Sequence, residues 1–212
     1  MAGSIAEARQ QEFETPCERG AGDPFALRAG LGRVVLAIAL ACCNYAYAET
    51  RVYLVRGWFG VFSTGMDRMA EELQGKGIKA EAIGHLEWKS TVSKIVNERV
   101  AGETSRLVLV GHSQGANNAI DMARELDKHR ISVDLLVTLV PFLQDPVPSN
   151  VVRALNYYQS TGWGTPLTAA PDFKGELSNI DIGGDSGIFH INIDKDTGVQ
   201  AEIMGAIAAL PK

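Results

Sequence analysis

The chain has 212 residues, 46% of them hydrophobic and 21% charged, which is the balance of one ordinary globular domain. Its formal net charge of −5, with no cluster of Lys or Arg, argues against a nucleic-acid partner. All three cysteines (Cys17, Cys42, Cys43) precede residue 49, so the rest of the chain has no disulfide, thiolate metal site or cysteine chemistry.

Residues 1–27 are polar and aperiodic and cannot bury a core; they are expected to be a disordered extension, or to lie ahead of the true start of translation. Arg28 and Arg33, the apolar run Val34 to Cys43, and Ala46-Tyr47-Ala48 before Glu49 have the outline of a signal peptide over 28–48. A run of that length is about half of what a bilayer span needs, so a stable membrane anchor is not expected. A lipid anchor on Cys42 or Cys43 ranks below simple cleavage near Ala48, because neither is preceded by a small-residue lipobox. The expected product is therefore secreted or periplasmic, with residues 49–212 as its domain.

Strand-like runs then alternate with helical ones. Val52 to Val55 reads as a strand, and Met66, Met69, Ala70 and Leu73 recur at helical spacing until Gly75 and Gly77 stop them. Ile78 to Ile83 is a second strand, and Thr91 to Val100 a second helix with Val92, Ile95, Val96 and Val100 facing inward. Arg106 to Val110, apolar after its first residue, is a strand covered on both faces. A helix through Lys128 carries Ala116, Ala119, Ile120, Ala123 and Leu126 on one side. Further strands are expected at Val133 to Val140, Val152 to Tyr158 and Leu177 to Ile182, and a last helix from Thr197 to Leu210. Strands separated by helices imply right-handed crossovers and a parallel sheet covered on both faces.

Between the third strand and its helix stands Gly111-His112-Ser113-Gln114-Gly115. G-x-S-x-G in that setting resembles the nucleophile elbow of the α/β-hydrolases, where a strained turn lifts the serine above the sheet edge. Arg56-Gly57-Trp58-Phe59 after the first strand and a late histidine extend the resemblance over roughly residues 51–210. It implies a minimal α/β-hydrolase fold of about six strands without a cap, similar to small lidless lipases and esterases.

The resemblance also implies roles. Ser113 is the nucleophile. Of the four histidines, His190 follows the last strand and precedes the last helix, where this fold presents its base. His112 adjoins the nucleophile, but its side chain is expected to point the other way; His85 and His129 sit away from the elbow. The acid should lie between Ser113 and His190. In pancreatic-type lipases it belongs to an Asp-Pro pair ending the strand after the elbow, but here that place reads Val140-Pro141. Asp145-Pro146, in the same loop, is the first choice, with Asp172, Asp181, Asp185 or no acid at all as alternatives. The oxyanion hole should combine the backbone N–H of Gln114 with that of Trp58 or Phe59. Trp58, Phe59, Val61 and Phe62 either wall an acyl pocket or staple their loop to the core.

Two other patterns are set aside. Gly184-Asp185-Ser186-Gly187 mimics the trypsin-like nucleophile motif but lacks that family's upstream histidine setting. Asp194 opens a run like a calcium loop, but Gly205 stands where the bidentate glutamate is required; Asp196 or Thr197 fits better as a helix N-cap. The expected function is a serine hydrolase of carboxylic esters that needs no cofactor or metal and acts as a monomer on a small-molecule ester. A thioesterase with the same machinery, or a non-catalytic binding protein on this fold, is the alternative.

Overall fold

The computed structural model describes residues 49–58, 63–103, 105–184 and 187–211. The leader expected at 28–48, the extension at 1–27, and Phe59, Val61, Phe62 and Asp185 lie outside them. In chain order the described elements are β1 (Thr50–Val55), α1 (Thr64–Gly75), β2 (Lys79–Ile83), α2 (Trp88–Val100), β3 (Arg106–His112), α3 (Gln114–Lys128), β4 (Leu135–Leu139), β5 (Arg153–Tyr158), β6 (Glu176–Asp181) and α4 (Thr197–Ala208).

The six strands form one sheet in the order β2-β1-β3-β4-β5-β6, every neighbouring pair parallel. Strand alternation sorts the core into two layers. Val52 and Leu54 of β1, with Val108 and Val110 of β3, meet Met66, Met69 and Leu73 of α1 and Val199, Ile203 and Ile207 of α4. Tyr53, Val55, Leu107 and Leu109 point to the other face, against Val92 and Ile95 of α2 and Ile120, Ala123 and Leu126 of α3. Because both faces are covered, β3 and β4 carry almost unbroken apolar runs.

The first crossover steps from β1 outward to β2, and the second returns past β1 to β3. The strand order reverses there, so the loops leaving β1 and β3 part in opposite directions and open a crevice at the carboxyl ends of these two strands. Arg56-Gly57-Trp58 is the first of those loops and Ser113 begins the second.

Several element limits differ from the sequence expectation, each for a local reason. The second helix starts at Trp88, three residues early: Glu87 accepts the Gly84 N–H through its carboxylate, and its carbonyl accepts from the Ser90 and Thr91 hydroxyls. Val100, expected inward, is 83% exposed on the last turn. The fourth strand begins at Leu135, since Val133 makes only an isolated bridge with Val151, and it ends at Leu139 because Val140 turns to φ 45°. The last helix is capped by Asp196, whose carboxylate accepts the Val199 N–H at 2.9 Å. Among the described residues no helix is long and apolar enough to cross a membrane.

Candidate active site

Ser113 occupies the turn between β3 and α3 with φ 58° and ψ −124°, a conformation few non-glycine residues adopt. The flanking glycines make that turn sterically feasible. A Cβ on Gly115 would lie 2.2 Å from the Val55 carbonyl oxygen, and one on Gly111 would lie 2.3 Å from that of Gly115. Helix α3 therefore seats directly on the end of β1, which only glycine permits. The serine N–H donates to the Leu139 carbonyl at 2.8 Å, fastening the elbow to β4.

Oγ of Ser113 lies 3.0 Å from Nε2 of His190, on the segment between β6 and α4. Three rings surround that imidazole: Trp163 at 5.0 Å between centroids, Phe142 at 5.2 Å and His112 at 5.5 Å. Burial, and secondarily the neighbouring His112, hold the His190 pKa down at about 4, so at neutral pH the ring is uncharged and able to accept a proton. Its Nδ1 is buried and has no hydrogen-bond partner among the described residues.

His112 does not point away from the site, as the sequence suggested. It is 1% exposed and lines the same cavity as Ser113, with Nδ1 2.8 Å from Oγ of Ser63 and Nε2 2.7 Å from the His190 carbonyl oxygen. Ser63 Oγ also accepts the Gly57 N–H at 3.0 Å. Gly57 is held against the elbow so closely that a Cβ would sit 3.0 Å from both the His112 carbonyl oxygen and Cβ of Ser113. The cavity over Ser113, about 150 Å³, is bounded by Gly57, Trp58, Phe142 and Ile191 together with the histidines. A parallel sheet in this order, with a strained serine at the end of its central strand and a histidine on its Oγ, decides the architecture.

This is the α/β-hydrolase fold. No family model matches the chain, and no curated protein does. Among solved structures, it is similar to a protein of Xanthomonas campestris pv. campestris described as a hydrolase of the α/β superfamily, at 18% identity and a TM-score of 0.39, over 74% of this chain and 99% of that one. It is also similar to the NocB thioesterase domain from the nocardicin cluster, at 14% identity and a TM-score of 0.48, over 76% of this chain and 95% of that one.

The α/β-hydrolase fold here does not bring Asp145 to His190, and that assignment is corrected. One Asp145 carboxylate oxygen accepts from Nδ2 of Asn117 at 2.9 Å, and the other lies 3.9 Å from the Arg124 guanidinium. Asn117, 2% exposed on α3, also accepts the Phe142 N–H at 2.9 Å and donates to the Leu143 carbonyl at 3.1 Å. The loop after β4 is thereby pinned to α3, and it presents Phe142 rather than a carboxylate to the imidazole. Its entry is forced by Val140, a buried β-branched residue at positive φ whose N–H donates to the Tyr157 carbonyl at 2.8 Å. Asp181 is a turn former, accepting the Ser160 and Gly183 N–H groups at 3.0 and 2.8 Å. Asp172 lies in an exposed turn. Asp145→Asn is accordingly expected to leave kcat within about threefold of wild type, since it retains an oxygen for Asn117 and loses only a loose, part-exposed ion pair. A fall of a hundredfold would return Asp145 to the catalytic machinery.

Gln114 opens α3 directly after Ser113, and the Ala116 N–H turns back to the Ser113 carbonyl at 2.9 Å. Trp58 is 57% exposed at the rim of the cavity. Among the described residues no three His, Cys, Asp or Glu side chains are placed to hold a metal ion. Sequence reasoning missed His112, Ser63, Phe142 and Trp163. For His112 the available signal was its place beside the nucleophile; the other three gave none, as their loops have no period.

Proposed function

We propose that the chain is a serine hydrolase of carboxylic esters, with Ser113 as nucleophile and His190 as general base and acid. The observation that carries this reading is the 3.0 Å contact between Oγ of Ser113 and Nε2 of a neutral His190, on a serine held in a strained turn at a helix start. Oγ attacks the ester carbonyl while its proton passes to Nε2. Negative charge gathers on the carbonyl oxygen, for which the backbone N–H groups of Gln114 and Trp58 are the proposed donors. Collapse expels the alcohol, which takes the proton from Nε2; water, deprotonated by the same nitrogen, then releases the acid.

The positions of the cavities support a division of the substrate. The leaving oxygen is protonated by His190, so the alcohol has to lie on the imidazole side of the serine. A larger cavity of about 600 Å³, sharing His190 and Ile191 with the smaller one and walled by Trp163 and Phe189, is available there. The smaller space over Ser113 then takes the acyl group, favouring short chains. Thioesters would react by the same steps; oxygen esters are preferred here because a leader over 28–48, cleaved near Ala48, places the enzyme outside the cytosol.

A fluorophosphonate tests the reading directly, because it phosphonylates only a serine activated by a base. Intact-mass and peptide analysis should find one adduct per chain, on Ser113. An unmodified protein, or an adduct elsewhere, would leave a binding protein on this fold as the better description.

A further inference from the structure

Ser63 and His112 are each 1% exposed, and their hydrogen bonds join three segments of the site. The directions follow from the chemistry of the groups. A carbonyl oxygen only accepts, so Nε2 of His112, 2.7 Å from the His190 carbonyl, must carry the proton. Burial keeps the ring neutral, its pKa lowered to about 4, so Nδ1 is bare and accepts from the Ser63 hydroxyl. That leaves the Ser63 lone pairs to the Gly57 N–H. One arrangement of protons satisfies all four groups.

We propose that Ser63 and His112 are positioning residues for catalysis: a buried relay, Gly57 N–H to Ser63 to His112 to the His190 carbonyl, that sets the base through its main chain. The proposal rests on reading Ser113 and His190 as the catalytic pair. His112 is the last residue of β3, paired in register with Leu139 of β4, so it belongs to the most constrained part of the sheet. The relay carries that rigidity outward to two loops of the site. One bears His190, whose ring has aromatic neighbours but no hydrogen bond to Nδ1 among the described residues. The other is the Gly57-Trp58 turn beside the developing oxyanion. Base and oxyanion loop are thus set from one buried point, directly behind the nucleophile.

The test compares Ser63→Ala, His112→Leu, the double variant and His112→Gln with wild type, by kcat and KM on a short p-nitrophenyl ester. Each of the first two should lower kcat by about tenfold to a hundredfold with KM within about twofold, because misplacing the base affects the transition state rather than binding. The double variant should be no slower than the worse single one, since both cut the same chain of bonds. His112→Gln retains an N–H able to reach the His190 carbonyl and should recover part of the loss. Ser63→Ala within about twofold of wild type, or effects of the two singles that multiply in the double, overturns the relay. Imidazole nitrogen NMR on the unaltered protein gives a readout that does not depend on any variant folding: one histidine should be the neutral Nε2–H tautomer at pH 7 with its Nδ1 hydrogen-bonded. An Nδ1–H or charged ring for His112 overturns the proposal. Fluorophosphonate labelling separates the two levels: wild type that fails to label at Ser113 removes the catalytic reading and the relay with it, while normal labelling with unimpaired Ser63→Ala removes the relay alone.

Discussion

Ser113→Ala is expected to lower ester hydrolysis by about 10⁵–10⁶ in kcat while leaving the fold intact. The hydroxyl is placed for covalent attack: it is on the elbow, within hydrogen-bonding distance of the imidazole, and the chain after residue 48 has no cysteine to compete with it. What remains without it is binding and oxyanion stabilisation of attack by water. Folding should be spared, because the strained turn is held by its main chain, through the Leu139 carbonyl and the close-packed Gly111 and Gly115, and alanine tolerates the turn no worse than serine. Rates on p-nitrophenyl acetate and the far-ultraviolet circular dichroism spectrum of both proteins decide the matter. More than a tenth of wild-type activity in the variant would remove Ser113 from the mechanism.

His190→Ala should cost a similar factor, on the order of 10⁵, because a nucleophile and its base act as a unit and losing either disables both. The pH dependence tests the environment as well as the residue. The base works only when deprotonated, and burial together with His112 lowers its pKa to about 4. The rate constant kcat/KM should therefore stay level from neutral pH down to about 5 and fall tenfold per unit below the pKa, since protonation removes the acceptor. Opening the ring cage with Trp163→Ala lets water reach the imidazole, lessens the cost of charging it, and should move the acid limb to higher pH. An acid limb near pH 7 in the wild type, unmoved by that substitution, would indicate a base stabilised by a carboxylate instead of one enclosed by aromatic rings.

The elements of this protein were readable in its residues because each depends on local spacing. Val52 and Leu54 against Tyr53 and Val55 announce a strand with two buried faces, and Met66, Met69, Ala70 and Leu73 a helix with one. The elbow was readable for the same reason: the glycines at 111 and 115 are demanded by contacts within a few residues or with the adjoining strand. The place of His190, the proposed base, could be inferred from the chain order that the resemblance implies. The surroundings of that base could not. Asp145 and Phe142 lie three residues apart in one proline-bounded loop, and which of them faces His190 depends on the turn forced at Val140 and on Asn117 of α3 claiming the carboxylate. Ser63 and His112 are 49 positions apart and meet only because the second crossover returns the chain past β1 to set β3 beside it. Periodicity states which way a side chain faces relative to its own element; it carries no information about which loop ends arrive at the same point. That was decided by the order of the strands, and with it the environment that surrounds His190.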